Sequence, residues 1–301
     1  MTSCSSEFDL IAKYFAPLAT SPNAFALKDD AALVPQRAGH DIVVTTDTVV
    51  AGIDFFEDDP PDTIAKKALR VNLSDLAAKG AEPAAYLLSL SLSPASADEA
   101  WLGMFARGLG DDQAHYGVTL LGGDMSGTPG PLSVAITAFG HVPAGRMIRR
   151  DGARAGDFVY VTGTIGDSGG GLAARQGPLF ERYRVPDPPV ALGRKLIGIA
   201  SAAIDVSDGL IADLGHIAQT SGARIVVEAD RVPRSDALRA LWGNDVLRAV
   251  TAGDDYQIAF TSSAPDAPAA CIGRVEKGAG VVLLDARGQE IAVPVKGFTH
   301  F

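Results

Sequence analysis

The sequence of 301 residues is poor in cysteine, in positive charge and in long apolar runs, and each shortage removes a class of protein. Its two cysteines, Cys4 and Cys271, form neither a disulfide framework nor a CxxC pair, so reduced thiols and a cytoplasmic location are expected. The net charge of −10 argues against nucleic acid as the main partner. No apolar stretch approaches the roughly 20 residues that span a bilayer, and the first residues lack the basic region and apolar run of a secretory signal.

Several familiar catalytic signatures are also missing. The five histidines stand outside any Ser-His-Asp context, and no Cys/His spacing suits zinc. A glycine-rich segment, residues 163–172, lacks the Gly-Lys-Ser/Thr of a P-loop and does not match GxGxxG. Because 47% of the residues are apolar and 21% are charged, the chain can nevertheless bury a full core. We therefore expect a folded protein whose chemistry rests on other residues.

What the sequence does contain is a series of aspartates at the ends of apolar runs. In the clearest case, residues 42–46 are predicted to form a buried strand, and a loop is predicted to begin at Asp47. Similar junctions carry further acids at Asp29, Asp30, Asp75, Asp124, Asp205, Asp208, Asp254 and Asp255. One such aspartate is explained as a helix cap or a turn former. This many together require a counter-charge, and divalent cations with phosphates are the usual one.

The clearest helix is predicted over residues 62–79, with Asp62 as its cap and Gly80 as its stop. Its apolar stripe is interrupted by Asn72 and Asp75, which lie three residues apart and therefore share a face. Burying an aspartate without a partner is costly. We therefore predict that Asp75 is a metal ligand.

A break near residues 142–157, rich in proline, glycine and arginine, predicts two domains, 1–145 and 146–301. Both halves alternate predicted strands and helices, which indicates an α/β or α+β fold with a cleft between the halves. Gly122-Gly123-Asp124 follows a predicted strand at 118–121 and is either a turn or a close approach of the backbone to an anion. Residues 176–189 are predicted to be a connection and residues 190–202 a helix.

Oxygen donors from aspartate and threonine suit Mg²⁺, which binds through a few carboxylates together with substrate phosphates. The chemistry that this favours is metal-assisted phosphoryl transfer or hydrolysis. The residues by themselves therefore predict an Mg²⁺-dependent enzyme that acts on a nucleotide or a phosphate.

Seven motifs occur in order along the chain: DDAAL (29–33), TTDTVVAG (45–52), KALRVNLSDLAAKGA (67–81), GGD (122–124), GDS (166–168), IDVSDGL (204–210) and GDDY (253–256). In this order, over residues 7–301, they resemble the thiamine-monophosphate kinase family. Several motifs are shared with aminoimidazole ribonucleotide synthetase and selenophosphate synthetase. The TTDTVVAG segment, the NLSDLAA helix and the KGFTHF tail (296–301) point to the thiamine family itself.

The resemblance implies an α/β (α+β), two-domain PurM-like fold. Its N-terminal domain, residues 1–145, would bind ATP and magnesium and form the dimer interface through its sheet. The C-terminal α/β domain, residues 146–301, would cover the active-site cleft. The implied activity is ATP-dependent phosphorylation of thiamine monophosphate to thiamine diphosphate by a homodimer, with several Mg²⁺ ions and with neither nucleic acid nor membrane as a partner.

The resemblance also implies roles for individual residues. The metal ligands would be Asp30, Thr45, Thr46, Asp47, Asp75, Asp124, Asp205 and Asp208. Nucleotide contacts would come from Phe105, Gly123, Asp124, Arg146 and Ser207, and thiamine contacts from Asp54, Asp254 and Phe298. Catalysis would rest on Asp47, Asp75, Asp124 and Asp208, through direct in-line transfer to a phosphate oxygen that is already ionised and needs no general base.

The sequence departs from the family pattern at four positions without losing a carboxylate. Lys28 replaces a usual glycine, Asp54 stands where a histidine is expected, Phe105 replaces a common tyrosine, and Met125 follows Asp124 in place of threonine. Two alternatives stay open: another ATP-dependent enzyme of the same superfamily, or a catalytically silent ATP- or metal-binding module. A selenophosphate synthetase would need a reactive cysteine in a glycine-rich loop, and Cys4 has no such context.

Overall fold

The computed structural model describes residues 6–93, 96 and 98–299 of the chain, so Cys4 lies outside the described residues. The chain divides into two compact units, which we call unit 1 (Met1–Leu76 with Glu82–Gly145) and unit 2 (Ala77–Ala81 with Arg146–Phe301). In the part of the chain that the structure describes, no helix has the length and apolar character needed to cross a membrane.

Unit 1 is built on a four-stranded sheet. Its elements in chain order are α1 (Glu7–Leu10), a π-helical turn (Ile11–Phe15), two 3₁₀ turns (Ala16–Leu18 and Pro22–Leu27), β1 (His40–Val50), α2 (Pro61–Ala78), β2 (Glu82–Leu92), α3 (Glu99–Tyr116), β3 (Thr119–Gly127) and β4 (Ser133–Pro143). The strand order is β1-β4-β2-β3. Strand β4 runs antiparallel to β1 and β2, and β2 runs parallel to β3.

The residues of β4 that pair with β1 show which face of the sheet each polar residue of β1 lies on. Asp47 pairs with Ile136, and Thr46 pairs with Thr137. Partners in an antiparallel pair point to the same face, and successive residues alternate. Ile136 is fully buried, whereas Thr137 is only partly buried. Thr45 and Asp47 therefore share the covered face of the sheet, and Thr46 lies on the opposite face.

Unit 2 is built on a seven-stranded sheet with the order β11-β10-β7-β9-β5-β8-β6. Its elements are β5 (Phe158–Val161), α4 (Asp167–Ala174), α5 (Gly177–Arg184), α6 (Val190–Lys195), β6 (Ala202–Asp205), α7 (Leu210–Ser221), β7 (Arg224–Glu228), a 3₁₀ turn (Ala229–Arg231), α8 (Asp236–Trp242), α9 (Val246–Thr251), β8 (Ile258–Ser262), β9 (Ala270–Glu276), β10 (Gly280–Leu284) and β11 (Glu290–Ile291). Neighbouring residues such as Val159 and Tyr160 belong to different apolar clusters. Because alternate strand residues face opposite sides, both faces of this sheet are covered.

Strands β1 and β3 of unit 1 continue beyond their predicted ends, which moves acidic residues from loops into the sheet. Strand β1 continues to Val50, so Asp47 lies within the strand and not at its end. The polar residues after position 44 predicted a loop. They include three threonines, however, and β-branched residues are compatible with a paired strand that has one partly open face. Strand β3 continues through Gly122, Gly123 and Asp124, which are therefore not a turn. A Cβ on Gly123 would lie 1.8 Å from the Leu88 carbonyl oxygen, so glycine permits this close pairing with β2.

The helices of unit 2 also differ from the prediction. Residues 176–189 contain α5, because a proline in the first turn is compatible with a helix start. The helix predicted over 190–202 ends at Lys195. Helices α8 and α9 were not predicted; their starts are capped by the side chains of Ser235 and Asp245. Short helices of six or seven residues carry too little periodicity for sequence patterns to detect.

Candidate active site

The covered face of the unit 1 sheet holds a group of oxygen donors from β1 and α2. The Thr45 hydroxyl donates a hydrogen bond to the Asp75 carboxylate. Burial and, to a smaller extent, the neighbouring carboxylates of Asp75 and Asp54 together raise the pKa of Asp47 to about 6. The structure thus brings together Thr45, Asp47 and Asp75, three of the eight predicted metal ligands.

Asn72 is the residue of α2 that sets the position of Asp47. Its side-chain oxygen accepts a hydrogen bond from the Asp47 backbone N–H at 3.1 Å, and its amide nitrogen donates to the Ala68 carbonyl at 3.0 Å. Asn72 is fully buried, so these bonds satisfy polar groups that would otherwise be costly to bury. The spacing of Asn72 and Asp75 placed them on one face, as predicted, but no role for Asn72 had been derived from it.

A second group of predicted ligands lies along a cavity of about 620 Å³ in unit 1. Asp30, Gly123 and Asp124 line this cavity, together with the N-terminal segment around Phe8. Thr137 also lines it and donates a hydrogen bond to the Thr46 hydroxyl at 3.1 Å. The structure therefore divides the predicted ligands of unit 1 into a covered group and a cavity group.

Two predicted contact residues of unit 1 have other tasks in the structure. The Asp54 carboxylate accepts a hydrogen bond from the Val50 N–H at 2.8 Å, and buried Lys67 donates to the Asp54 carbonyl at 2.6 Å. Asp54 thus holds the turn that follows β1. Phe105 is fully buried in α3 and stacks on Trp101 with ring centroids 5.0 Å apart. The predicted nucleotide contact at Phe105 is not supported, because a fully buried ring has no surface to offer a ligand.

In unit 2, the loop between β6 and α7 carries three predicted site residues. Asp205 is the last residue of β6 and is buried, whereas Ser207 and Asp208 are partly exposed. One carboxylate oxygen of Asp213, Oδ2, accepts the backbone N–H groups of Ser207, Asp208 and Gly209, each at 3.1 Å. Burial and, to a smaller extent, the charges of Asp205 and Asp208 together raise the pKa of Asp213 to about 8.

Two segments distant in sequence are hydrogen-bonded to the same loop. The Asp254 N–H donates to the Ser207 carbonyl at 2.7 Å, and the Phe298 N–H donates to the Asp208 carbonyl at 2.9 Å. Glycines allow both segments to approach the loop closely. A Cβ on Gly253 would lie 2.4 Å from the Ser207 carbonyl oxygen, and a Cβ on Gly297 would lie 2.5 Å from the Asp208 carbonyl oxygen. The structure therefore brings together Ser207, Asp208, Asp254 and Phe298.

Three further residues define the surroundings of this loop. The Phe298 ring is 51% exposed, so it offers a surface to a ligand. The Asp254 side chain accepts a hydrogen bond from the Tyr256 hydroxyl at 3.0 Å, and its backbone has a φ of 66°, which is unusual for a residue other than glycine. Arg146 is exposed, with its guanidinium beside Gly198.

The donor chemistry in both units fits Mg²⁺. The gathered donors are carboxylate and hydroxyl oxygens, which hard divalent cations prefer, and carboxylates in contact favour a bound cation because their charges repel. Asp208, Asp213 and His216 also place possible ligand atoms within 4.8 Å of one another. Because Asp213 Oδ2 already serves three N–H donors, we interpret that group as support for the loop.

Asp213 and Asn72 are the two residues that sequence reasoning missed. Both are polar residues within the apolar stripe of a helix, and both are almost completely buried. A polar residue within an apolar helix stripe is also the signal that predicts a functional role for Asp75. The sequence shows this signal for Asp213 too, because Leu210, Ile211 and Leu214 surround it.

Comparison with known proteins places these features in one family. The model for the AIR synthase related protein N-terminal domain matches residues 28–142, and that for the C-terminal domain matches residues 154–285. The thiamine-monophosphate kinase of Caulobacter vibrioides is 45% identical over 267 residues, which cover 84% of this chain and 75% of the relative. The thiamine-monophosphate kinase of Salmonella typhimurium is 40% identical, with 98% of each chain covered.

Solved structures agree with these relatives. The crystal structure of thiamine-monophosphate kinase from Stenotrophomonas maltophilia has a TM-score of 0.79 and 41% identity, and the match covers 88% of this chain and 91% of the other. The structure of AaThiL complexed with AMPPCP and TMP has a TM-score of 0.80 and 31% identity, with 98% and 97% of the two chains covered.

Proposed function

Because the chain belongs to the thiamine-monophosphate kinase family, we propose that it transfers the γ-phosphoryl group of ATP to thiamine monophosphate, which yields thiamine diphosphate and ADP. The observation that carries this proposal is the similarity to kinases of this family over nearly the whole chain, with both units included. The acidic residues of the seven motifs support it, because each unit gathers several of them at one place.

We infer that Mg²⁺ is held by three groups of residues. Thr45, Asp47 and Asp75 would bind it on the covered face of the unit 1 sheet. Asp30 and Asp124 would bind it along the cavity, with Thr46 next to the cavity residue Thr137. Asp205 and Asp208 would bind it in unit 2. When bound, Mg²⁺ neutralises the charge of the phosphate groups and orients them. The chain itself contributes the placement of these donors. The Asn72 side chain accepts the backbone N–H of Asp47, and the Asp213 side chain accepts that of Asp208.

The contribution of the protein to the transfer step is mainly positioning. The acceptor is a phosphate oxygen that is ionised at neutral pH, so no side chain has to remove a proton. Ser207, Gly123 and Arg146 would contact the nucleotide. Phe298 and Asp254 would contact the thiamine part, and their backbone bonds to the loop of Asp208 would keep both substrates in line.

We also propose a homodimer formed through the unit 1 sheet. Strand β1 lies at the edge of the sheet, and its open face exposes Ile42 and Val44, the latter to 59%. Exposed apolar residues on a strand face are typical of an interface. Val44→Lys should shift the protein toward the monomer in light scattering, and an unchanged mass would refute this interface.

An assay of ADP release tests the proposed function. Purified protein with Mg²⁺ and ATP should release ADP on addition of thiamine monophosphate, with thiamine diphosphate formed in equal amount. Thiamine and the aminoimidazole ribonucleotide precursor should give no release above background. Turnover of the precursor alone would support another enzyme of the superfamily, and no turnover with ATP still bound would support a catalytically silent module.

A further inference from the structure

The loop between β6 and α7 is held from two sides by backbone hydrogen bonds. On one side, the N–H groups of Ser207, Asp208 and Gly209 all point to a single oxygen of Asp213. On the other side, the carbonyls of residues 206, 207 and 208 accept the N–H groups of Tyr256, Asp254 and Phe298 at 2.8, 2.7 and 2.9 Å. The position of the loop, and of the segments bonded to it, therefore depends on Asp213.

Asp213 is well suited to hold the loop and poorly suited to contact a substrate. It lies in the first turn of α7 and is 2% exposed. Without its oxygen, three successive N–H groups at the start of the helix would lose their partner, and buried donors without partners are costly. What these three N–H groups require is an acceptor oxygen at the position of Asp213 Oδ2.

We propose that Asp213 is a positioning residue of the phosphoryl-transfer site, which places Ser207 and Asp208 for the nucleotide and its cation by accepting their backbone N–H groups. This inference rests on the proposed function. It differs from the metal-ligand roles assigned to Asp205 and Asp208, because Asp213 acts through the loop and not on the substrate.

Two substitutions separate the position of the acceptor oxygen from the chemistry of the carboxyl group. Asp213→Asn removes the ionisable carboxyl group but keeps an acceptor oxygen at the same distance from the backbone. Asp213→Glu keeps the carboxyl group but moves its oxygens by about 1.5 Å, one carbon–carbon bond. We expect Asp213→Asn to be at least about 10-fold more active than Asp213→Glu, since loss of a supporting partner typically lowers activity or metal affinity by about 10- to 100-fold.

The Mg²⁺ concentration that gives half-maximal velocity is the second measurement. It should rise about 10-fold or more in Asp213→Glu and much less in Asp213→Asn. Asp157 offers a matched control, because it is a buried carboxylate of unit 2 that accepts the Arg154 N–H at 3.0 Å and the Ser201 hydroxyl at 2.6 Å. Asp157→Asn and Asp157→Glu should change the melting temperature without changing the Mg²⁺ requirement.

The opposite ranking, with Asp213→Glu active and Asp213→Asn inactive or unfolded, would overturn the inference in favour of a role for the ionisable carboxyl group. Equal activity of both variants and wild type would overturn it as well. Failure of the proposed function has a different signature, because wild type would then not phosphorylate thiamine monophosphate. In that case the affinity for Mg²⁺ with a non-hydrolysable ATP analogue, measured by calorimetry on the same variants, still decides the role of Asp213.

Discussion

Replacing Asp75 by asparagine should separate function from stability in unit 1. Burial and the charges of Asp75 and Asp54 raise the folded-state pKa of Asp47 to about 6 from the ordinary value of 3.8. At 1.36 kcal/mol per unit, this corresponds to about 3 kcal/mol of destabilisation at pH 7. Burial is the largest cause, so the share of Asp75 is of order 1 kcal/mol.

Asp75→Asn should lower the activity without lowering the stability of the protein. Without metal, the free energy of unfolding should stay the same or rise by up to about 1 kcal/mol, because the repulsion of Asp47 is relieved and the asparagine oxygen can still accept from Thr45. Activity should fall by orders of magnitude, because a proposed ligand of the cation is lost. Wild type should gain about 2.7 kcal/mol at a ligand concentration 100 times the dissociation constant, and the variant less.

Thermal melting in chelator, in Mg²⁺ and in Mg²⁺ with ATP measures these effects. Asp112→Asn is a control in the same unit, since Asp112 is buried and forms a two-bond ion pair with Arg70 at 2.7 and 2.8 Å. Breaking that pair should lower stability by about 3–5 kcal/mol and leave the gain on ligand addition unchanged. If Asp75→Asn behaves like Asp112→Asn, Asp75 is a structural residue and the metal site on α2 is refuted.

Four other outcomes are expected. Phe298→Ala should raise the KM for thiamine monophosphate about 5-fold, from a stacking contribution of about 1 kcal/mol, and leave the KM for ATP nearly unchanged in steady-state kinetics; equal changes would indicate a folding role. Free thiamine should not be phosphorylated in a product assay, because the proposed transfer uses an acceptor oxygen that is already ionised, and the hydroxyl of free thiamine is not; turnover similar to that of the monophosphate would contradict direct transfer. In chelator, the free energy of unfolding should fall as the pH rises from about 4 to about 8, because the raised pKa values of Asp47 and Asp213 mean that the folded state binds more protons than the unfolded state in this range. Thermal melts at about pH 5 and about pH 8 measure this fall, and Mg²⁺ should reduce the difference in stability between the two pH values. Ala26→Gly should stabilise the protein by about 1 kcal/mol, because Ala26 has a φ of 54°; Ala16→Gly, in a segment of normal backbone, should destabilise it in the same melting assay.

Much of the fold was predictable because local periodicity reflects burial. Helix α2 was predicted within one residue at each end, since its apolar stripe and the glycine at position 80 are local signals. The short helices α8 and α9 were missed, since two turns carry too few residues to show a period.

The donor chemistry was also predictable, because it depends on residue type. Aspartates and threonines in motifs imply an oxygen-binding cation whatever the arrangement. The cytoplasmic location and the dimer remain predictions. The burial of Phe105 inside unit 1 was not predictable, because an aromatic residue on an amphipathic helix suits both a core and a ligand contact.

The sequence by itself determined the family, the residue types of the site and the two-part organisation, since these follow from motifs and local patterns. Only the tertiary structure decided how the donors are grouped. Strand β1 continues past Asp47, and packing against one face of its sheet partly buries Thr45 and Asp47 and leaves Thr46 exposed on the other face. Asp213 gathers three N–H groups from the preceding loop. Strand ends and loop anchoring depend on contacts between segments that meet only after folding, so local residue preferences do not decide them.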